Sequence, residues 1–188
     1  MIRMEIESRE SGNTGVIEVK LREVGQLFNS FDPTPFPEKD LDADAEEFIV
    51  SWAKEHHKQL PLKLRFHIAN PATDQRAIDS VEPAIHAYFA YRAQMVRFKL
   101  RQLMSRGRWS LLIGLVFLAG CLGAADLIHT FLGQAPIFQI LRESLQIGGW
   151  VAMWRPMEIF LYDWWPLRYE RRIFQRLSVA TVELTVAK

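Results

Sequence analysis

The sequence predicts a membrane α-helical hairpin, two transmembrane helices that carry a small cytoplasmic α/β head formed by both the N- and C-terminal segments. Three observations lead there. The first is an apolar stretch. From Ser110 to Ala125 there is no charge and almost nothing polar, and Leu127, Ile128, Phe131 and Leu132 extend that character past Asp126 and His129. At ~1.5 Å of rise per residue it supplies the ~20 residues needed to cross ~30 Å of hydrocarbon, with the backbone polar groups paired inside the helix. The second is charge. No acidic residue lies between Glu82 and Asp126, yet Arg92, Arg97, Lys99, Arg101, Arg106 and Arg108 precede the apolar stretch. Arg168, Arg171, Arg172 and Arg176 follow the second segment against one Glu170, and the linker has no Lys or Arg before Arg142. Basic outer flanks place both termini in the cytoplasm. The third is an aromatic belt of Trp109, Trp164, Trp165 and Tyr169. A buried helix of a soluble core is the competing reading, and the basic flanks argue against it.

In chain order, residues 1–15 read as a loose, polar leader without the apolar core of a signal peptide. Residues 16–108 form the head and a juxtamembrane helix. Ile17 to Arg22 alternates apolar and charged residues, the period of a half-buried strand. Pro33, Pro35 and Pro37 mark an extended loop, after which Asp40 or Asp42 caps a helix running to about His57. Leu62 to Ile68 repeats the strand alternation, and Thr73 or Asp74 opens a helix expected to continue into the first span. That span is 109–132, the external turn 133–136 and the second span 137–167. Residues 168–188 are a basic segment and a last strand, 179–186, which completes a thin three-stranded sheet. An open sheet edge and a face of small residues four apart, Ala119 with Gly123 and Gly120 with Ala124, favour close helix packing and a homo-oligomer.

The second span is the less ordinary one. Its longest uncharged run, Ser144 to Trp154, is too short to cross alone. Arg155 and Glu158 are i, i+3 neighbours able to pair, with Tyr162 one turn further on and Asp163 near the inner interface. Pro156 and the pair Gly148-Gly149 are expected soft points. A charge inside a bilayer costs at least ~2.5–3.5 kcal/mol, so Asp126, His129, Arg155, Glu158, Tyr162 and Asp163 form a candidate intramembrane polar cluster. The bland alternatives are a structural ion pair, snorkelling, and hydration of Asp126 and His129 at the outer interface. Arg106, Arg108, Trp109, Trp164, Trp165, Arg168, Arg171 and Arg172 are the expected lipid-interface residues, suited to anionic headgroups.

Other patterns fail on inspection. Asp40-Leu-Asp42-Ala-Asp44 opens like a calcium loop but has Ala45 at position six and Ser51 at position twelve. Glu55, His56, His57 and His67 lack the spacing of a zinc site, and no metal or cofactor is expected. The lone Cys121 excludes an intrachain disulfide. There is no nucleotide loop, hydrolase elbow or nucleophile–His pair, and the basic collar beside a span points to lipid rather than nucleic acid.

The stretches LFNSFDPTPFPEKDLDADAEEFIVSWAKE and ESLQIGGWVAMWRPMEIFLYDWWPLRYERR resemble a family of small bacterial membrane proteins, over most of residues 16–178. The resemblance implies a bacterial inner membrane and carries no activity with it. The expected function is non-enzymatic, a self-associating membrane anchor or scaffold whose head recruits a cytoplasmic protein partner. The alternative is an oligomeric ion or proton pathway lined by Asp126, His129, Arg155 and Glu158.

Overall fold

The computed structural model describes residues 8–11, 14–29, 40–55, 60–69, 75–131 and 135–186. The expectations placed on residues 30–39, on His56 and His57, on Thr73 and Asp74 and on Gln134 lie outside them. Two units result, one of Met1–Val96 with Tyr169–Lys188, the other of Arg97–Arg168.

In the first unit a sheet has the order β1-β2-β3-β4. The strands are β1 (Ser8–Ser11), β2 (Thr14–Leu21), β3 (Leu62–Ile68) and β4 (Thr181–Val186). Strands β2, β3 and β4 are parallel, with Ile17 opposite Leu64 and Leu64 opposite Val182. The short β1 pairs antiparallel with β2, Arg9 facing Val16. The three expected strands are β2, β3 and β4, and β1 adds a fourth at the edge beside β2. Ser-Arg-Glu-Ser has no apolar residue, so no period of two betrays it, and only its backbone ladder defines it.

Strand β3 lies inside the sheet and alternates strictly. Leu62, Leu64, Phe66 and Ile68 are buried and the residues between them half-buried. The buried row, with Ile17, Val19 and Leu21, is covered by apolar positions of three helices. Helix α1 (Ala43–Glu55) supplies Ala45, Ile49 and Ala53. Helix α2 (Gln75–Phe131) supplies Val81, Ile85 and Phe89, and a last helix, Trp164–Leu177, supplies Ile173, Phe174 and Leu177. Phe89 stacks on Phe174 with ring centroids 6.1 Å apart. Asp42 opens α1, its carboxylate accepting the Asp44 N–H at 3.0 Å.

Helix α2 contains one stretch long and apolar enough to cross a membrane, with mean hydropathy 2.3 and only 17% of it buried. Its last part, from Arg97, belongs to the second unit, which runs on to Arg168 through two further helices, a π-helical turn and the first residues of a third helix whose remainder belongs to the first unit. These are α3 (Pro136–Ala152), α4 (Trp154–Glu158) and, after a π-helical turn over Ile159–Asp163, α5 (Trp164–Leu177). Pro136 opens α3 at its first turn, where its missing N–H costs nothing. The expected second span is therefore not one regular helix. It breaks at Met153 because Pro156 cannot donate to the Ala152 carbonyl. Gly148-Gly149, expected as a second soft point, stays helical inside α3.

Candidate functional site

The two limbs of the second unit pack antiparallel through small residues. Covered positions on α2 include Met104, Gly107, Leu111, Gly114, Leu118, Cys121 and Ala125, spaced three and four apart. The other limb answers with Arg142, Leu145, Gly149, Ala152, Pro156 and Ile159 on the same alternation. This seven-residue repeat keeps one seam facing the partner helix. A methyl group at Gly149 would stand 2.8 Å from Leu118 Cδ1 and 3.2 Å from Cys121 Cβ. At Gly114 it would stand 3.2 Å from Met153 Sδ, and at Gly107 2.8 Å from Ile159 Cγ2. Each glycine is thus a place where one helix sits on the other.

The small residues named from sequence are elsewhere. Gly120 and Gly123 have nothing within 4 Å of an added Cβ, Ala119 is exposed, and Ala124 is half-buried. The seam runs instead through Gly107, Gly114 and Cys121, a spacing of seven that was present in the sequence.

The polar cluster divides. Arg155 donates to Glu158 at 2.7 Å and lies 3.5 Å from Asp163. The π-helical turn lies between Glu158 and Trp164 and bears Asp163. Tyr162 is exposed. Asp126 and His129 are exposed near the end of α2, where the Asp126 carbonyl accepts the Thr130 hydroxyl at 3.0 Å. They join neither each other nor Arg155 in any recorded ion pair. At the basic ends, Arg168 stacks over the Trp164 ring at 5.4 Å and Trp164 meets Trp165 edge to face at 5.7 Å. The Trp164 indole N–H donates to the Phe160 carbonyl at 2.9 Å. Arg106, Arg108, Trp109 and Arg172 are exposed and Arg171 is half-buried.

The first unit carries polar networks that the sequence did not assemble, although Arg92, His67 and Arg176 stand out in it singly. On the sheet face opposite the helices, Arg65 bridges Glu18 at 2.6 Å and Glu183 at 3.2 Å, Lys63 also pairs with Glu183, and His67 lies 3.5 Å from Glu18. This ties β2, β3 and β4 side by side. The Glu183 and Glu18 carboxylates raise the Arg65 pKa, while Lys63 and then Arg65 hold the Glu183 carboxyl below its usual range. Glu46 on α1 accepts the Tyr88 hydroxyl and the Arg92 guanidinium of α2, both at 2.7 Å. Burial, then the Glu46 carboxylate, pushes the Tyr88 pKa up. His86 of α2 donates to the Ala180 carbonyl, just before β4, at 2.8 Å, and Arg176 of the last helix to the Leu60 carbonyl, just before β3, at 2.8 Å. The strand alternation could have exposed the Glu18–Arg65–Glu183 row, but only once the parallel register was known.

Among the described residues, no three His, Cys, Asp or Glu side chains are grouped to hold a metal. Comparison with protein-family models, curated proteins and solved structures gives no match.

Proposed function

We propose that the chain is an integral protein of a bacterial inner membrane. In this reading residues 109–131 and 136–163 form a two-helix hairpin, and the α/β unit is a cytoplasmic head held at the bilayer as a self-associating anchor or scaffold that recruits a protein partner. The observation that carries this reading is reversed polarity in the second unit. Its seam brings Gly107, Gly114, Gly149 and Cys121 against Leu118, Met153 and Ile159, while many of its large apolar side chains face outward: Val116 is 67% exposed, Trp150 66% and Phe131 79%. The helix of a soluble core would put its largest residues inside, as the first unit does with Phe66, Phe89 and Phe174. Glycines at the helix contact with large apolar residues left outside is an arrangement that suits lipid. An exposed apolar surface of this extent would otherwise drive aggregation.

Ala119, Gly120 and Gly123 stay open on α2 after the hairpin has packed, which favours contact with a second copy there. An ion pathway through Asp126, His129, Arg155 and Glu158 has less support, because Arg155 is already paired with Glu158 and Asp163. The test is mass photometry of the full chain in detergent. Oligomers that dissociate on joint Gly120→Leu and Gly123→Leu substitution are expected. A wild-type chain that is strictly monomeric and brings down no partner overturns the scaffold reading.

A further inference from the structure

One surface feature of the hairpin unit has the chemistry of a ligand site. A groove is lined by Leu100, Arg101, Met104, Ser105 and Arg108 of α2, and by Phe160 from the π-helical turn. Arg101, Ser105 and Arg108 are four and three residues apart, so they share one helix face over ~10 Å of axis. Leu100, Met104 and Phe160 form an apolar row beside them. Neither Arg101 nor Arg108 has a recorded ion pair, and no acidic residue lies on α2 between Glu82 and Asp126 to supply one. Of the three carboxylates of the other limb, Glu158 and Asp163 are engaged by Arg155, and neither they nor Glu143 line the groove.

Phe160 reaches this place because the α2 backbone is bare at Gly107, where an added methyl would stand 3.2 Å from the Phe160 ring. The π turn brings Ile159 and Phe160, consecutive residues, both onto Gly107. Such turns recur at functional sites because they re-aim a side chain.

From this we infer that the groove binds the phosphate of an anionic phospholipid, Arg101, Ser105 and Arg108 taking the headgroup and Leu100, Met104 and Phe160 the start of an acyl chain. The inference rests on the membrane reading above. Two guanidiniums around one hydroxyl fit a phosphate, which Arg holds with paired, charge-assisted hydrogen bonds. A free phosphate would have no use for the apolar row; a lipid needs both rows at once. The depth also fits, since Arg108 directly precedes Trp109 and the uncharged run from Ser110, the level of the headgroups.

The experiment is native mass spectrometry of the full chain released from nanodiscs holding phosphatidylglycerol and phosphatidylcholine in equal amounts. One retained phosphatidylglycerol per chain is expected. Arg101→Gln and Arg108→Gln should each cut its retention about tenfold, the loss of one charge-assisted hydrogen bond. Arg106→Gln, which removes the same charge outside the groove, should change it by less than about twofold by the same reasoning. Ser105→Leu, which fills the groove without altering charge, should also abolish retention. Equal losses for all three arginines, or no preference over phosphatidylcholine, overturn the site. Displacement of the lipid by excess glycerol phosphate would make a free phosphate the ligand, and also overturns it. A chain that never enters the nanodisc fails the membrane reading itself, whereas one that enters with equal arginine losses fails only this inference.

Discussion

Substituting Gly149 tests the hairpin seam most sharply. The added Cβ would meet Leu118 Cδ1 at 2.8 Å and Cys121 Cβ at 3.2 Å. Leu118 can rotate its side chain away, but Cys121 Cβ moves only with the α2 backbone. Overpacking of this kind costs about 1–3 kcal/mol, and Gly→Ala in a helix interior returns up to ~1 kcal/mol. Gly149→Ala should therefore lose roughly 0–2 kcal/mol. Gly149→Leu, with three more heavy atoms and no space for them, should lose about 3 kcal/mol. Gly148 is the internal control, because nothing lies within 4 Å of its added Cβ. Cys121, the sole cysteine and buried in the seam, is a built-in reporter. At ~1.4 kcal/mol per factor of ten, Gly149→Leu should raise the rate of Cys121 labelling by a membrane-permeant maleimide about a hundredfold. Gly148→Leu should leave it within about threefold on the same scale. Equal rates for the two variants would refute the packing argument.

Three other outcomes follow from the side-chain geometry. The Glu183 carboxyl is held below its ordinary pKa of 4.5, so its stabilising pairing with Lys63 and Arg65 is complete above that pH and is lost as pH falls through the lower folded value. Protection factors of the β4 amides, with the intrinsic acid slowing of exchange divided out, should therefore fall on acidification below pH 4.5, and Glu183→Gln should remove that fall. Phe66→Ala, emptying a fully buried position in β3, should destabilise the sheet unit by about 3–5 kcal/mol, read as a lowered apparent melting temperature. Glu158→Ala should leave Arg155 with Asp163 alone at 3.5 Å and lower the membrane-inserted fraction, while Arg155→Ala with Glu158→Ala should restore it. Insertion unaffected by the single change would show that Glu158 contributes nothing to burying Arg155.

The long apolar segment and the alternating strands were legible because their signals are periodic and local. Ser110 to Ala125 declares itself by the absence of charge, and Leu62–Ile68 by its period of two. What stayed hidden depends on partners distant in sequence. Strand β1 has no apolar pattern and exists through its ladder with β2. The choice between two sets of small residues on α2 could not be made from one helix alone, since Gly120 and Gly114 look alike until Met153 and Pro156 lie against one of them. Arg155 with Glu158 was readable because i, i+3 pairing is local, whereas the approach of Asp163 to Arg155 comes with a π-helical turn that no sequence signal announced. The Arg101–Arg108 groove needed Phe160 from the other limb before it became a groove.

The most direct measurement is the sidedness of the two ends of the chain, read from compartment-specific reporter fusions at Met1 and at Lys188 in intact bacterial cells. Two crossings of the membrane place both reporters in the cytoplasm. Reporters on opposite sides would mean a single crossing, and the hairpin would have to be abandoned.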